Sequence, residues 1–135
     1  MAVLVLKDAV ITINSVALSD HANSVSLNYE LDSVEVTAFG DSGHRFTGGL
    51  QNNSIDVELM QDFAASNVEA TVYPLVGTTT TVTIKATSAA VSTTNPLYTI
   101  SNTFLAAHTP VAGAVGELAK TSITFQGGTL VKTTV

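Results

Sequence analysis

The tetrapeptide Gly40-Asp41-Ser42-Gly43 has the residue types found around the nucleophilic serine of chymotrypsin-like proteases. That chemistry needs a histidine to accept the serine proton and a buried carboxylate to orient the histidine. His21 is the only histidine before this serine, and nothing around it marks a catalytic base. The chain is also too short for a protease of two barrels. We therefore interpret the motif as a glycine-rich turn and predict that the protein is not an enzyme.

Three histidines, His21, His44 and His108, could in principle bind a metal, but their spacing is not that of metal ligands. Because cysteine is absent, a zinc site would need the fold to bring histidines and carboxylates together. We predict neither a metal site nor a cofactor. His44 and its neighbour Arg45 could bind an anion. We expect them instead to pair with acidic groups, either locally or across an interface.

Four carboxylates form a candidate acidic surface: Asp56, Glu58, Asp62 and Glu69. Asp56 and Glu58 are two residues apart in a strand-like pattern, so both should lie on the same face of the strand. Two carboxylates can hydrolyse a glycosidic bond, but such a site usually has aromatic platforms, and the chain has no tryptophan. We interpret these residues as a solvated negative face.

The charge balance is acidic and sparse, with five lysines and arginines against eleven acidic residues. Because binding to phosphates needs clustered cations, we do not expect the protein to bind nucleic acid. Charged residues make up only 12% of the chain, and a surface with few charges is poorly protected against self-association. Extensive protein–protein contact is therefore one interpretation, and a soluble monomer with a threonine-rich surface is the other.

At 135 residues, the chain is predicted to form a single domain of residues 1–135, stabilised by packing because disulfides are excluded. Valine, isoleucine and threonine supply about a third of the residues, which favours β-structure. The apolar run at residues 3–6 is too short for a secretory signal or a membrane span. We therefore predict that the protein does not insert into a membrane and that it is synthesised in a cytoplasm.

Apolar and polar residues alternate in several segments, which predicts strands. The segments are residues 24–31 with a continuation to 37, 55–59, 81–85, 98–104 and 119–126, with a hairpin at 10–18 and a final strand at 129–135. Within one of them, the pattern places Tyr98, Ile100, Asn102 and Phe104 on one face. Residues 40–53, with four glycines, show no regular pattern. The flanks of the uncharged stretch 87–116 are predicted loops, which we expect to be functional or to contact a partner.

Residues 62–76 depart from this alternation and are predicted to form a short helix. Ser66 and Glu69 have the spacing of a capping box, and Val68 and Val72 follow at helical spacing. Because proline removes a backbone donor, Pro74 should end the regular helix near Tyr73.

Residues 34–50 contain, in order, a strand of the form Val-x-Val-Thr, a small-Gly-Asp turn, Arg-Phe and Gly-Leu. A strand and a short helix follow, and the chain closes with threonine-rich strands and the sequence Thr-Phe-Gln-Gly-Gly at 124–128. In this order of features, the sequence resembles the tail tube (major tail) proteins of long-tailed bacteriophages over most of its length. No single motif in it is diagnostic alone.

The resemblance implies a mostly β fold, an antiparallel β-sandwich or barrel of the phage tail tube type with one short flanking α-helix. It implies hexameric rings that stack into a hollow tube through which DNA passes without specific binding, with other tail proteins at the tube ends. The protein would be a virion component assembled in the cytoplasm of the bacterial host. In tail tube proteins, one loop typically reaches the neighbouring ring. The resemblance implies that the corresponding inter-ring contact loop comprises Gly40, Asp41, Ser42, Gly43, His44, Arg45 and Phe46. The acidic residues that we expect to face the lumen are Glu30, Glu35, Asp56 and Glu58.

Two other classes of protein remain open from the sequence. One is another virion component of similar build, either a capsid decoration protein or a tail completion protein. The other is a β-sandwich module that binds carbohydrate, which would need exposed aromatic side chains. Tyr29, Tyr73 and Tyr98 are the only tyrosines, and Tyr29 and Tyr98 fall on apolar faces of their predicted strands.

Overall fold

Ten strands and one α-helix form within residues 3–135, the part of the chain that the computed structural model describes. The strands are β1 (Val10–Ile13), β2 (Val16–Ala17), β3 (Ala22–Asn28), β4 (Leu31–Glu35), β5 (Phe46–Gln51), β6 (Ser54–Met60), β7 (Thr79–Lys85), β8 (Leu97–Leu105), β9 (Lys120–Gln126) and β10 (Thr129–Thr133). The helix α1 spans Val68–Val72, and 3-10 turns cover Ser19–His21 and Tyr73–Leu75. Among these residues, no helix is long and apolar enough to cross a bilayer.

The named strands pair antiparallel and build two layers around one core. One layer has the order β2-β1-β7-β8-β10, and the other has the order β9-β6-β3. The layers join where the end of β8 pairs with the end of β9, at Phe104 opposite Gln126 and Leu105 opposite Phe125. This architecture confirms the predicted mostly β, antiparallel fold with one short helix.

Strict alternation in β6 and β9 gives the second layer one apolar and one polar face. Every second residue of β9, from Thr121 to Phe125, is buried, and Ile55, Val57 and Leu59 of β6 lie opposite them. Burying an aliphatic or aromatic side chain of this size contributes about 1.5–3 kcal/mol. The apolar face of this layer is therefore held firmly on the core, and its other face is left to solvent.

β8 departs from the predicted alternation at Asn102. Asn102 has a positive φ of 57°, and two residues of β8 lie opposite one residue of β7 at this point, which is a β-bulge. The extra residue shifts the pattern, so that Ile100, Thr103 and Leu105 are buried. The predicted common face of Tyr98, Ile100, Asn102 and Phe104 is therefore wrong, because Phe104 is exposed.

The helix is shorter than predicted. α1 begins at Val68 after the N-cap residue Asn67, without a side-chain cap hydrogen bond, so the predicted capping box does not form. The Glu69 carboxylate instead bonds to the His108 ring. The predicted end near Tyr73 is confirmed, since the chain passes there into the 3-10 turn that contains Pro74.

The turn between β9 and β10 depends on two consecutive glycines at positive φ, Gly127 at 74° and Gly128 at 91°. A Cβ atom on Gly127 would meet nothing within 4 Å, whereas one on Gly128 would lie 2.5 Å from the Ser101 carbonyl oxygen. The backbones of β8 and of this turn are therefore packed too closely for any side chain at Gly128.

We predict that Gly128→Ala lowers the free energy of unfolding by about 2–5 kcal/mol, because a strained φ and an overpacked contact add together. Gly127→Ala is the matched control and should lower it by about 1–2 kcal/mol, from the strained φ alone. Urea denaturation of both variants measures the difference. Equal losses would show that the close approach to Ser101 has no energetic consequence.

Candidate functional site

A two-stranded arm projects from the β9-β6-β3 layer. Within residues 3–135, β4 and β5 pair only with each other, and in the chain they lie between β3 and β6. The predicted strand through residues 24–31 is therefore divided, with β3 ending at Asn28 and β4 beginning at Leu31. All of β4 is exposed. The predicted inter-ring residues lie at the tip of the arm, where Phe46 is the first residue of β5 and the other six precede it.

Hydrogen bonds within the tip fix its shape. One Asp41 carboxylate oxygen accepts from the Ala38 N–H at 2.8 Å and from the Arg45 guanidinium at 3.0 Å. Glu35 accepts from the His44 ring at 2.6 Å and from the Thr37 hydroxyl at 2.8 Å. These bonds, the one from His44 above all, lower the pKa of the Glu35 carboxyl. Of the two predicted pairings for His44 and Arg45, the structure shows the local one.

Buried Asn53 anchors the arm to the body of the protein. Its side-chain oxygen accepts from the Glu30 N–H at 3.2 Å, and its amide nitrogen donates to the Gly128 carbonyl at 3.2 Å. Its own carbonyl accepts from the Gly127 N–H at 2.8 Å. One side chain thus ties the base of the arm to the β9–β10 turn. The sequence analysis missed Asn53, because an asparagine between two strands has the signature of an ordinary turn.

The arm exposes more apolar surface than a free hairpin needs. The exposed large apolar side chains of residues 31–51 are Leu31, Val34, Val36, Phe39, Phe46 and Leu50. Phe39, at the tip, makes almost no contact with the rest of the protein, since its side chain is fully exposed. Clustered apolar exposure of this kind marks a surface that contacts another protein.

The outer face of the β9-β6-β3 layer is polar and consists mainly of small side chains. The register places them in three cross-strand rows, Ser24–Glu58–Ser122, Ser26–Asp56–Thr124 and Asn28–Ser54–Gln126. Asp56 accepts a hydrogen bond from the Thr124 hydroxyl at 2.7 Å, and Glu58 lies 3.6 Å from the Lys120 ammonium. We refer to these three rows as the polar face.

The four acidic residues predicted to face a lumen do not lie together. Asp56 and Glu58 are on the polar face, on one side of β6 as predicted. Glu30 is at the base of the arm, where its N–H bonds to Asn53. Glu35 is on the arm, paired with His44.

His21 joins the 3-10 turn before β3 to the segment before α1. Its ring nitrogens lie 2.9 Å from an Asp20 oxygen and 2.8 Å from an Asp62 oxygen. Ionised carboxylates only accept hydrogen bonds, so both bonds form together with ionised Asp20 and Asp62 only when the ring is protonated on both nitrogens, as an imidazolium. The bond to Asp62, and then the bond to Asp20, raise the pKa of His21. The Ala64 N–H, and then His21, lower the pKa of Asp62.

A second histidine holds the helix. The His108 ring, almost fully buried, bonds to the Glu69 carboxylate at 2.8 Å and to the Thr121 hydroxyl at 3.2 Å. Asp62 and Glu69 are therefore partners of histidines and do not extend the acidic face of β6. Within residues 3–135, no group of three or more histidines and carboxylates could hold a metal ion. The carboxylate bonds of His21 leave neither ring nitrogen free to serve Ser42, which lies at the arm tip.

Comparison with known proteins finds no match among protein families or curated proteins, but solved structures share the fold. A chain from the sheath/tube terminator of PVC, an extracellular contractile injection system, superposes with a TM-score of 0.73 at 14% identity, over 98% of this chain and 97% of its own. A chain from the virion of a native gene transfer agent particle gives 0.72 at 13% identity, over 93% and 95%. A chain from the tube-terminating cap of the anti-feeding prophage gives 0.68 at 18% identity, over 100% and 95%.

These neighbours match nearly the full length of the chain, so the likeness applies to the whole fold and not to one layer. They come from an extracellular contractile injection system, a gene transfer agent particle and an anti-feeding prophage. The chain therefore has a fold of the phage tail tube type, as the order of its sequence motifs predicts.

The ion pair of His21 predicts a specific pH dependence. Because folding raises the pKa of His21, its ion pair stabilises the folded protein fully at pH values below the pKa of this histidine in the unfolded chain. The stabilisation is lost as the pH rises through the pKa of His21 in the folded protein. Asp62 has a lowered pKa, so its contribution is lost only in acid, as pH falls through its folded pKa. We predict that His21→Gln lowers Tm at pH 6 and has a much smaller effect at pH 9.

His44→Gln is the matched control, because its pair with Glu35 is solvent-exposed and such pairs contribute little. Thermal unfolding by circular dichroism at both pH values tests the prediction. A loss in His21→Gln that is equal at pH 6 and pH 9 would contradict the charged bridge.

Proposed function

We propose that the protein is a structural subunit of a phage or phage-like tail, which assembles into hexameric rings that stack into a hollow tube for DNA passage. The observation that carries the proposal is the polar face on the outer side of a three-strand layer, beside a projecting apolar arm. These surfaces lie on a fold that the solved neighbours use in phage-tail-like particles. The expected location is the virion, after assembly in the host cytoplasm.

The polar face suits the wall of a channel. Its rows carry serine, threonine and amide side chains with two carboxylates, and Lys120 beside them is paired with Glu58. DNA binds to clustered lysine and arginine through its phosphates and is repelled by carboxylates. A wall of this composition lets DNA pass without holding it, and Asp56 and Glu58 are the acidic residues that we propose for it.

Ring formation would also give a pairing partner to the unpaired strand edges of the layers. β3 ends one layer, and in the part of the chain that the structure describes its only sheet partner is β6. An exposed strand edge invites pairing with another chain, and closing sheets across subunits removes the edge. The low charge of the chain leaves few groups that would oppose such contact.

The arm is proposed to contact the next ring, through its apolar residues and its tip of Gly40, Asp41, Ser42, Gly43, His44, Arg45 and Phe46. A contact between different surfaces of identical subunits generates an open stack when its geometry does not close into a ring. The bonds of Asp41 and Glu35 support this role, because a tip that is already ordered loses little entropy when it docks.

A tube terminator or tail completion protein is the second candidate function. The TM-scores to chains from a sheath/tube terminator and from a tube-terminating cap favour it as much as they favour a tube subunit. The two functions differ in assembly, since a terminator forms a ring that stops growth and a tube subunit forms rings that stack. In both cases the partners are further copies and other tail proteins.

We predict that electron microscopy of the concentrated protein shows hollow six-fold rings in end view and stacked rings in side view. Single rings that never stack would favour the terminator. Discrete trimers would contradict the hexameric ring and favour a decoration protein. Monomers at every concentration, even with tail-initiation proteins added, would contradict self-assembly.

We predict that deletion of the four residues 42–45 leaves a folded subunit that forms rings but no tubes. The deletion removes only exposed residues at the arm tip, so the core is unaffected. Deletion of residues 111–114, in an exposed loop far along the chain from the arm, is the control of equal length and should allow tubes to form. Sedimentation and electron microscopy separate rings from tubes. Normal tubes from the 42–45 deletion would contradict the role of the arm.

A further inference from the structure

An apolar groove lies at the open side of the sandwich. It has a volume of about 420 Å³ and is bounded by β3, β7, β8 and β10. Its lining carries no charged residue and comprises Leu6, Ala9, Val25, Leu27, Tyr29, Ile84, Ala86, Tyr98 and Leu130. Val25, Leu27 and Leu130 pack against the core but are only partly buried. The core is therefore incompletely covered on this side.

The same side carries the free edge of β3. β3 pairs with β6 along one edge, and its other edge has no strand partner within residues 3–135. The side chains of Val25 and Leu27 line the groove next to this edge. An extended peptide that paired with β3 would thus place every second side chain into the groove.

A segment suited to this position lies in the chain itself. Residues 3–6, Val-Leu-Val-Leu, form a short apolar run of high β-propensity. All four side chains are between 56% and 84% exposed, and the run belongs to no strand. Leu6 lines the groove of its own chain, but Val3, Leu4 and Val5 before it are exposed and do not line it.

We propose that residues 3–6 of a second copy of this chain occupy the groove and pair with the free edge of β3. The occupant is identified by three matching features, which are an uncharged apolar groove, an unpaired strand edge and an exposed apolar run of strand-forming residues. Of the chain's own run only Leu6 lines its groove, so a neighbouring copy supplies the complement. Because groove and run are different surfaces, each subunit gives one contact and receives another.

This inference rests on the proposed self-assembly of the protein. It specifies which surfaces of adjacent subunits meet. It covers the exposed apolar run and the open side of the core in one contact. It also accounts for the absence of charge in both surfaces, since a buried unpaired charge would oppose the contact.

Disulfide cross-linking tests the contact directly, because the protein has no cysteine of its own. One subunit carries Leu4→Cys, and a second, with a tag of different size, carries Tyr29→Cys. Both positions are exposed, so the variants should fold. Mild oxidation of the mixture should give a covalent heterodimer of distinct mobility on a non-reducing gel.

Val131→Cys replaces Tyr29→Cys in the control, since Val131 is similarly exposed on β10 but does not line the groove. We expect several-fold more heterodimer with Tyr29→Cys than with Val131→Cys. Equal yields with the two partners would overturn the proposal. A second experiment uses a single chain that carries both Leu4→Cys and Tyr29→Cys. If this chain forms an internal cross-link and the mixture of single variants gives no heterodimer, the proposal is also overturned, because the chain's own run then fills the groove.

The outcome is separable from that of the proposed function. Rings or tubes that form without this cross-link would leave the tail function intact and refute the contact. Cross-linked subunits that never form rings would confirm the contact and contradict the hexameric tube.

Discussion

Both layers of the sandwich depend on the bulge in β8. Along one edge β8 pairs with β7, and along the other it pairs first with β10 and then with the end of β9. The extra residue at Asn102 lets the strand bend between these partners while its apolar side chains stay on the core. The close contact of Gly128 with Ser101 fixes the same corner from the other side. The layer that carries the polar face begins at this corner, where Phe104 and Leu105 of β8 pair with the end of β9.

Alternation predicted the strands well where one face is buried and the other exposed. β6 and β9 follow the predicted pattern residue by residue, because each side chain lies plainly on one face or the other. The hairpin of residues 10–18 also forms, with Asn14 and Ser15 both at positive φ. The bulge at Asn102 was not predictable, since a single asparagine in a polar-apolar pattern does not show where two strands change partners. The capping box failed because the N-cap residue is Asn67 and not Ser66, and the Glu69 carboxylate bonds to His108, distant in sequence.

The candidate site was predictable in part. The sequence located the glycine-rich tip and the pair Asp56 and Glu58 on one side of a strand, and the structure places the tip on a projecting arm. Pattern alone could not reveal the arm, because the alternation changes phase at Asp32-Ser33, inside β4, whereas the strand divides after Asn28, where the alternation continues. It also could not reveal Asn53 or the bonds of His21, which join residues far apart in the chain. Such contacts follow from the assembled fold and leave no local signal.

The central claim is that the polar face lines a closed channel, and the accessibility of Ser122 tests it most directly. Ser122 is exposed at the middle of β9 on that face, and Ser122→Cys would introduce the only thiol. In assembled tubes, a small maleimide that can diffuse through the channel should label this cysteine. A maleimide coupled to a protein too large to enter the tube should label it only after dissociation. Labelling of intact tubes by the large reagent, as fast as that of free subunits, would place the polar face on the outside and contradict the account.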